Sequence, residues 1–136
     1  MEDGRGKMEQ NVTEETKNFR PFEDFDIWKR AFALAKDAYK LAGDKRIDRS
    51  VRDQMRRAAL SIPSNIAEGY ERRVTNEFRQ YLSIAKGSAG ELRTQIRFVK
   101  ELNLADDTVC EQLIKECVGI GAMIGGFIKT LKVTVK

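Results

Sequence analysis

Phe78, Leu82, Ala85, Ala89, Leu92, Ile96 and Val99 follow one another at steps of four, three, four, three, four and three. An α-helix turns once every 3.6 residues, so this spacing places all seven on one apolar stripe. A strand would need strict alternation, which the segment lacks. The repeat predicts a long helix that opens at Thr75 as N-cap, carries Glu77 in its first turn and ends near Asn103. An isolated helix gains little stability in water, so the stripe must be buried against partners. The middle of the stripe, Gly87-Ser88-Ala89-Gly90, is made of small residues. A glycine inside a helix costs about 1 kcal/mol relative to alanine. Close approach of a neighbouring backbone is the expected compensation.

Three further segments offer matching faces. Ile27, Ala31, Leu34, Ala38 and Leu41 form one seam of a first helix, and Trp28, Phe32, Ala35, Tyr39 and Ala42 form a second beside it. This helix runs from Asp24 or Asp26 to Ala42, with Gly43 as its C-cap. Two seams suit packing on two neighbours, or on one neighbour and another subunit. A second helix begins between Ile47 and Ser50 and buries Val51, Met55, Ala58 or Ala59, Ile62 and Ile66, stopping near Gly69. Pro63 interrupts it. Either the helix kinks there, or a new one starts with Ser61 as cap; the unbroken apolar spacing favours one kinked helix, with Asn65 serving a backbone group freed by the proline. The last helix is capped by Asp106 or Asp107 and buries Leu113, Cys117, Ile120, Ile124, Phe127 and Leu131. Its glycines 119, 121, 125 and 126 predict close helix packing. They do not form a phosphate loop, because no GK[ST] follows them and no strand precedes them. The fold class is all-α: an antiparallel up-down-up-down four-helix bundle, kinked at Pro63, spanning residues 21–136. Residues 1–20 have no apolar period and are expected to be a disordered leader or tail.

The chain contains no histidine, which removes Ser-His-Asp and Cys-His catalysis and most zinc sites. No base constellation, metal set or cofactor loop is present, so the expectation is a protein that is not an enzyme, takes no cofactor and has no small-molecule substrate. No apolar run approaches the ~20 residues of a membrane span, and no apolar signal region opens the chain. Cys110 and Cys117, seven apart on one helix, sit roughly 10 Å apart along its axis, too far for a disulfide. Reduced thiols and the lack of a span point to the cytoplasm.

The net charge of +4 is modest, but its distribution is uneven: of thirteen arginines, Arg46, Arg49, Arg52, Arg56, Arg57, Arg72, Arg73 and Arg79 fall in one quarter of the chain. At 100° per residue, Lys45, Arg49, Arg52 and Arg56 share a stripe away from the apolar face of the second helix. Guanidinium forks bind phosphate in pairs of hydrogen bonds, so these eight arginines are the candidate nucleic-acid site, binding RNA or DNA by backbone contacts. The plainer reading is a solvated face paired to Asp48, Asp53, Glu68 and Glu71: nine bases and six acids lie between Asp44 and Arg79, a net of +3. On that reading the protein is a protein–protein adaptor. Phe22, Phe25, Trp28, Phe32 and Tyr39 read as core or subunit interface.

The run Ser61-Ile62-Pro63-Ser64-Asn65-Ile66-Ala67-Glu68-Gly69, led in by Arg56-Arg57-Ala58-Ala59, resembles a bacterial family: four-helix-bundle proteins encoded in intervening sequences of 23S ribosomal RNA genes, once labelled a ribosomal protein. Phe22-Glu23-Asp24-Phe25-Asp26-Ile27-Trp28-Lys29 resembles the family's opening, and Ile84-Ala85-Lys86-Gly87-Ser88-Ala89-Gly90-Glu91-Leu92 resembles its third-helix signature. The resemblance covers residues 22–132. It implies a closed bundle that assembles as a homopentamer. It is also similar to the accessory variability protein of diversity-generating retroelements, a basic pentamer that associates with nucleic acid and a reverse transcriptase. The family offers no catalytic residues to carry over. The glycine content of the last helix departs from its pattern.

Overall fold

The computed structural model describes residues 20–131. The expected leader falls outside that range except for Arg20, and so do Lys132 and everything after it. A 3-10 turn, Phe22–Asp24, precedes four helices: α1 Asp26–Leu41, α2 Arg49–Glu71, α3 Thr75–Glu101 and α4 Asp107–Thr130. No strand occurs among the described residues. Each helix packs on the next, and α1 closes the circuit against α4. Gly69 late in α2 faces Tyr81 early in α3, and Ser61 bonds Ser88 further along. Lys100 at the end of α3 pairs with Asp107 and Glu111 at the start of α4. The result is a four-helix bundle. No helix among the described residues is long and apolar enough to cross a membrane.

The seven-residue stripe of α3 is buried along its whole length. Facing it are Met55, Ala58, Ala59, Ile62 and Ile66 from α2, and Cys110, Leu113, Ile114, Cys117, Ile120 and Ile124 from α4. Each buried Leu or Ile contributes roughly 1.5–3 kcal/mol through removal of apolar surface from water. The first seam of α1 is buried at Ile27, Ala31, Leu34 and Ala38 and partly at Leu41; the second is split, with Ala35 and Ala42 buried and Phe32 and Tyr39 43% and 44% exposed. Phe22, Trp28 and Phe32 form a ladder of rings up that outer side, Trp28 stacking on Phe32 at 4.7 Å.

The helix ends follow the sequence expectation at Asp106 and Asn103 and differ from it at Thr75 and Gly43. Thr75 is the first helical residue of α3, and Val74, in extended conformation, holds the N-cap position. Asp106 caps α4, its carboxylate accepting from the Val109 N–H at 2.9 Å. α3 does end at Asn103: the residue takes φ 56°, with Asn103 N–H on the Lys100 carbonyl and Leu104 N–H on that of Val99. This 6→1 and 5→2 pair is a Schellman closure. Gly43 does not close α1 through a left-handed turn, since no glycine among the described residues has positive φ. Gly43 and Asp44 N–H reach back to the Lys40 and Leu41 carbonyls, and arginines of α2 take those of Tyr39 and Ala42.

Pro63 lies inside one continuous helix, buried in the core face of α2. The carbonyl it deprives of a donor is that of Ala59, four residues back. Asn65 does not serve that group. Its amide donates to the Ser61 carbonyl and to Ser61 Oγ, both at 2.8 Å, and Ser61 Oγ meets Ser88 Oγ at 2.8 Å. A short polar chain thus crosses the α2–α3 seam.

Close packing also falls on a different glycine. A Cβ built on Gly69 would stand 2.6 Å from Tyr81 Cβ. At Gly87, Gly90, Gly121 and Gly126 a Cβ would meet nothing within 4 Å. These four, expected to admit a neighbouring backbone, instead face open space.

Candidate nucleic-acid interface

The eight candidate arginines do not form one surface. Three of them cap helix ends. Arg52 reaches back to the turn after α1, donating from Nε to the Ala42 carbonyl at 2.8 Å and from Nη2 to the carbonyls of Ile47 at 3.0 Å and Asp44 at 3.2 Å. Arg56 donates twice to the Tyr39 carbonyl and lays its guanidinium 4.0 Å from the centre of the Tyr39 ring. Arg79 holds the carbonyls of Ile128 and Leu131 at the end of α4. The last carbonyls of a helix lack intrahelical donors and carry its negative dipole end, so a guanidinium satisfies both. The helical-wheel stripe placed Arg52 and Arg56 correctly on α2. It did not register that the α1–α2 turn lies within reach of them.

Three more arginines are exposed but engaged. Arg46 binds Asp44 through Nε and Nη2, and the Arg46 N–H donates to the same carboxylate at 2.9 Å. These bonds hold the Asp44 carboxyl down at about 2. Arg72 donates to the Tyr81 hydroxyl at 2.7 Å and lies within 4 Å of Glu68 and Glu77; the Tyr81 bond, then the carboxylates, push its already high pKa up. Arg73 follows α2 in the left-handed region at φ 59°, its guanidinium 5.9 Å from the centre of the Tyr70 ring. That leaves Arg49 and Arg57, both exposed on α2, with neither a hydrogen bond nor an ion pair among the described residues. Arg57 borders a shallow hollow with Gln54, Ser61 and Glu91.

A second group of cations was not singled out by sequence. Lys86, Arg93 and Arg97 of α3 lie seven and four residues apart, on one outer face. With Lys129 of α4, Lys86 and Arg93 border a groove of about 550 Å³ between the two helices. Its floor is made of Ala89, Gly90, Gly121, Ala122, Gly125 and Gly126, and no aspartate or glutamate lines it. Arg97 extends the cationic edge with Thr94 and Val118. None of the four has an ion pair among the described residues. Lys86 lies across toward α4, its Cε 3.2 Å from a Cβ built on Gly125. Cys117 sits beneath the groove, and burial pushes its thiol up to about 12 despite the opposing pull of Arg93. Cys110 is also a free, buried thiol raised by burial. The signal for this site was present in the sequence as spacing. It was hidden because its members are few, far apart and drawn from two helices.

The architecture defines a helical-bundle protein. The family model of the 23S rRNA-intervening sequence proteins matches residues 23–126, and the chain belongs to that family. Among solved structures it is similar to a protein of unknown function from the S23 ribosomal protein family of Bacteroides thetaiotaomicron VPI-5482. That structure is 20% identical, with a TM-score of 0.71 over 76% of this chain and 99% of the other, which establishes a shared fold. A search of curated proteins found no match.

Proposed function

We propose that this protein is a non-enzymatic, self-assembling helical bundle that binds RNA or DNA through exposed cationic side chains contacting the phosphate backbone. The observation that carries the proposal is the presence of exposed guanidinium groups, Arg49 and Arg57 among them, with no carboxylate partner among the described residues. An unpaired guanidinium offers five donors in a fork matched to phosphate. The sequence resemblance supports a homopentamer and a reverse transcriptase or ribosomal RNA as the working context. Phe32, exposed at the end of the half-buried Phe22–Trp28 pair, also supports self-association, because exposed large apolar side chains mark contact sites. A ring would repeat the modest charge of one subunit several times around one surface. Fluorescence anisotropy with labelled RNA and DNA, run across a salt series, tests the reading. Binding should weaken as salt rises, since phosphate contacts release counterions. No affinity at low salt would sink it.

A second reading, an adaptor for an acidic protein partner, draws on the same aromatic ladder. The same anisotropy series separates the two: salt-dependent nucleic-acid binding is present under the first reading and absent throughout under the second.

A further inference from the structure

We propose that the α3–α4 groove, rather than the arginine-rich stretch of α2, is where a single nucleic-acid strand lies. This rests on the nucleic-acid reading above and assigns it a site. Three observations converge. First, Lys86 and Arg93 on one bank and Lys129 on the other border the groove, and Arg97 continues the first bank. None of these four is neutralised by a carboxylate among the described residues, whereas six of the eight arginines between Arg46 and Arg79 already hold a carbonyl, a carboxylate or a ring. Unpaired cations lose less on binding phosphate, because no existing bond is given up.

Second, the floor is lined by residues with almost no side chain. Gly90, Gly121 and Gly126 are open to solvent and admit an incoming chain down to the helix backbone. Interior packing does not need them, and each lowers the intrinsic stability of its helix. Third, the geometry is linear. Lys86, Arg93 and Arg97 span eleven residues of α3, roughly 16 Å at 1.5 Å per residue, parallel to the groove. An extended strand can meet these cations in turn. A duplex, far wider than the gap between adjacent helices about 8–10 Å apart at their axes, would touch only the rims. Contact is to backbone, so binding is weakly sequence-dependent.

The test compares a fluorescein-labelled single-stranded RNA of mixed sequence with its duplex, on the full chain. With four cations engaged, the logarithm of affinity should fall with the logarithm of salt at a slope near −3, from about −0.7 per phosphate contact for single strands. The triple variant Lys86→Gln, Arg93→Gln, Lys129→Gln should lose at least about tenfold in affinity and flatten that slope. Arg49→Gln with Arg57→Gln should change affinity little. Gly121→Leu adds no charge, and its Cβ would meet nothing within 4 Å; by filling the floor it should weaken binding as well. Circular dichroism and melting confirm that each variant is folded. If the loss is confined to the Arg49 and Arg57 variant, or is equal in both, the groove assignment is overturned and nucleic-acid binding stands. If Gly121→Leu binds as well as the parent, the strand does not enter the groove. If the unmodified protein binds neither RNA, both proposals fall.

Discussion

Gly69 of α2 lies hard against Tyr81 of α3: a methyl group on Gly69 would stand 2.6 Å from Tyr81 Cβ and 3.0 Å from Phe78 Cδ1. The obstruction at Tyr81 is the root of a side chain, which cannot swing away without moving the helix. Gly69→Ala should therefore destabilise the bundle by about 1–3 kcal/mol, as overpacking does, although alanine is the better helix former. Urea unfolding reads this directly, and a gain in stability would show that the seam is looser than described.

The opposite sign is expected on the outer face of α4. Gly121 and Gly126 have open space where a Cβ would go. Gly121→Ala and Gly126→Ala should each stabilise the protein by up to about 1 kcal/mol through helix propensity alone. The pair contrasts with Gly69→Ala within one fold, and thermal melts of the three variants are enough to check it.

Arg52 is predicted to matter for folding and Arg49, one turn earlier, is not. Arg52→Ala removes donors from three carbonyls in a partly buried turn. A loss of about 2–3 kcal/mol is expected, since hydrogen bonds to charged groups are worth about 1.5–3 kcal/mol and the three are not additive. Arg52→Lys should recover only part of it, because an ammonium lacks the planar fork. Arg49→Ala should stay within about 0.5 kcal/mol, as exposed substitutions do.

Cys117 gives a pH-dependent signature. Its thiol moves from the ordinary 9.0 to about 12 on folding, through burial. The folded state thus holds its proton after the unfolded chain has released it. The associated stability is present in full below the unfolded value and is lost as pH rises from 9.0 toward 12. Unfolding followed through that window should show stability falling with pH, more steeply in the parent than in Cys117→Ala. Iodoacetamide should leave both cysteines of the folded protein unmodified at neutral pH, because the thiolate is the reactive form.

The bundle itself was legible because apolar period is a local signal. The α3 stripe read from Phe78 to Val99 is buried at every position. What was not legible depends on which element lies across from which. The helical wheel put Arg52 and Arg56 on an outer stripe of α2, but not within reach of the last carbonyls of α1. Glycine content announced weak helix propensity without saying which glycine meets a neighbour: Gly119 and Gly125 meet the tips of Arg30 and Lys86, whereas Gly69 meets the root of Tyr81. The α3–α4 cations escaped notice because Lys86 and Lys129 are 43 positions apart in the chain. Clustering in sequence drew attention to arginines that the fold then spent on capping.

Those caps also tie two helices into one mechanical unit. Two carbonyls at the end of α1, those of Tyr39 and Ala42, are held by Arg56 and Arg52, side chains rooted in α2. Fraying at that end thus requires α2 to release it, and α2 in leaving strips the end of α1. Amide protons in the last turn of α1 should consequently exchange at the rate set by separation of the pair, not at the faster rate of a free helix end.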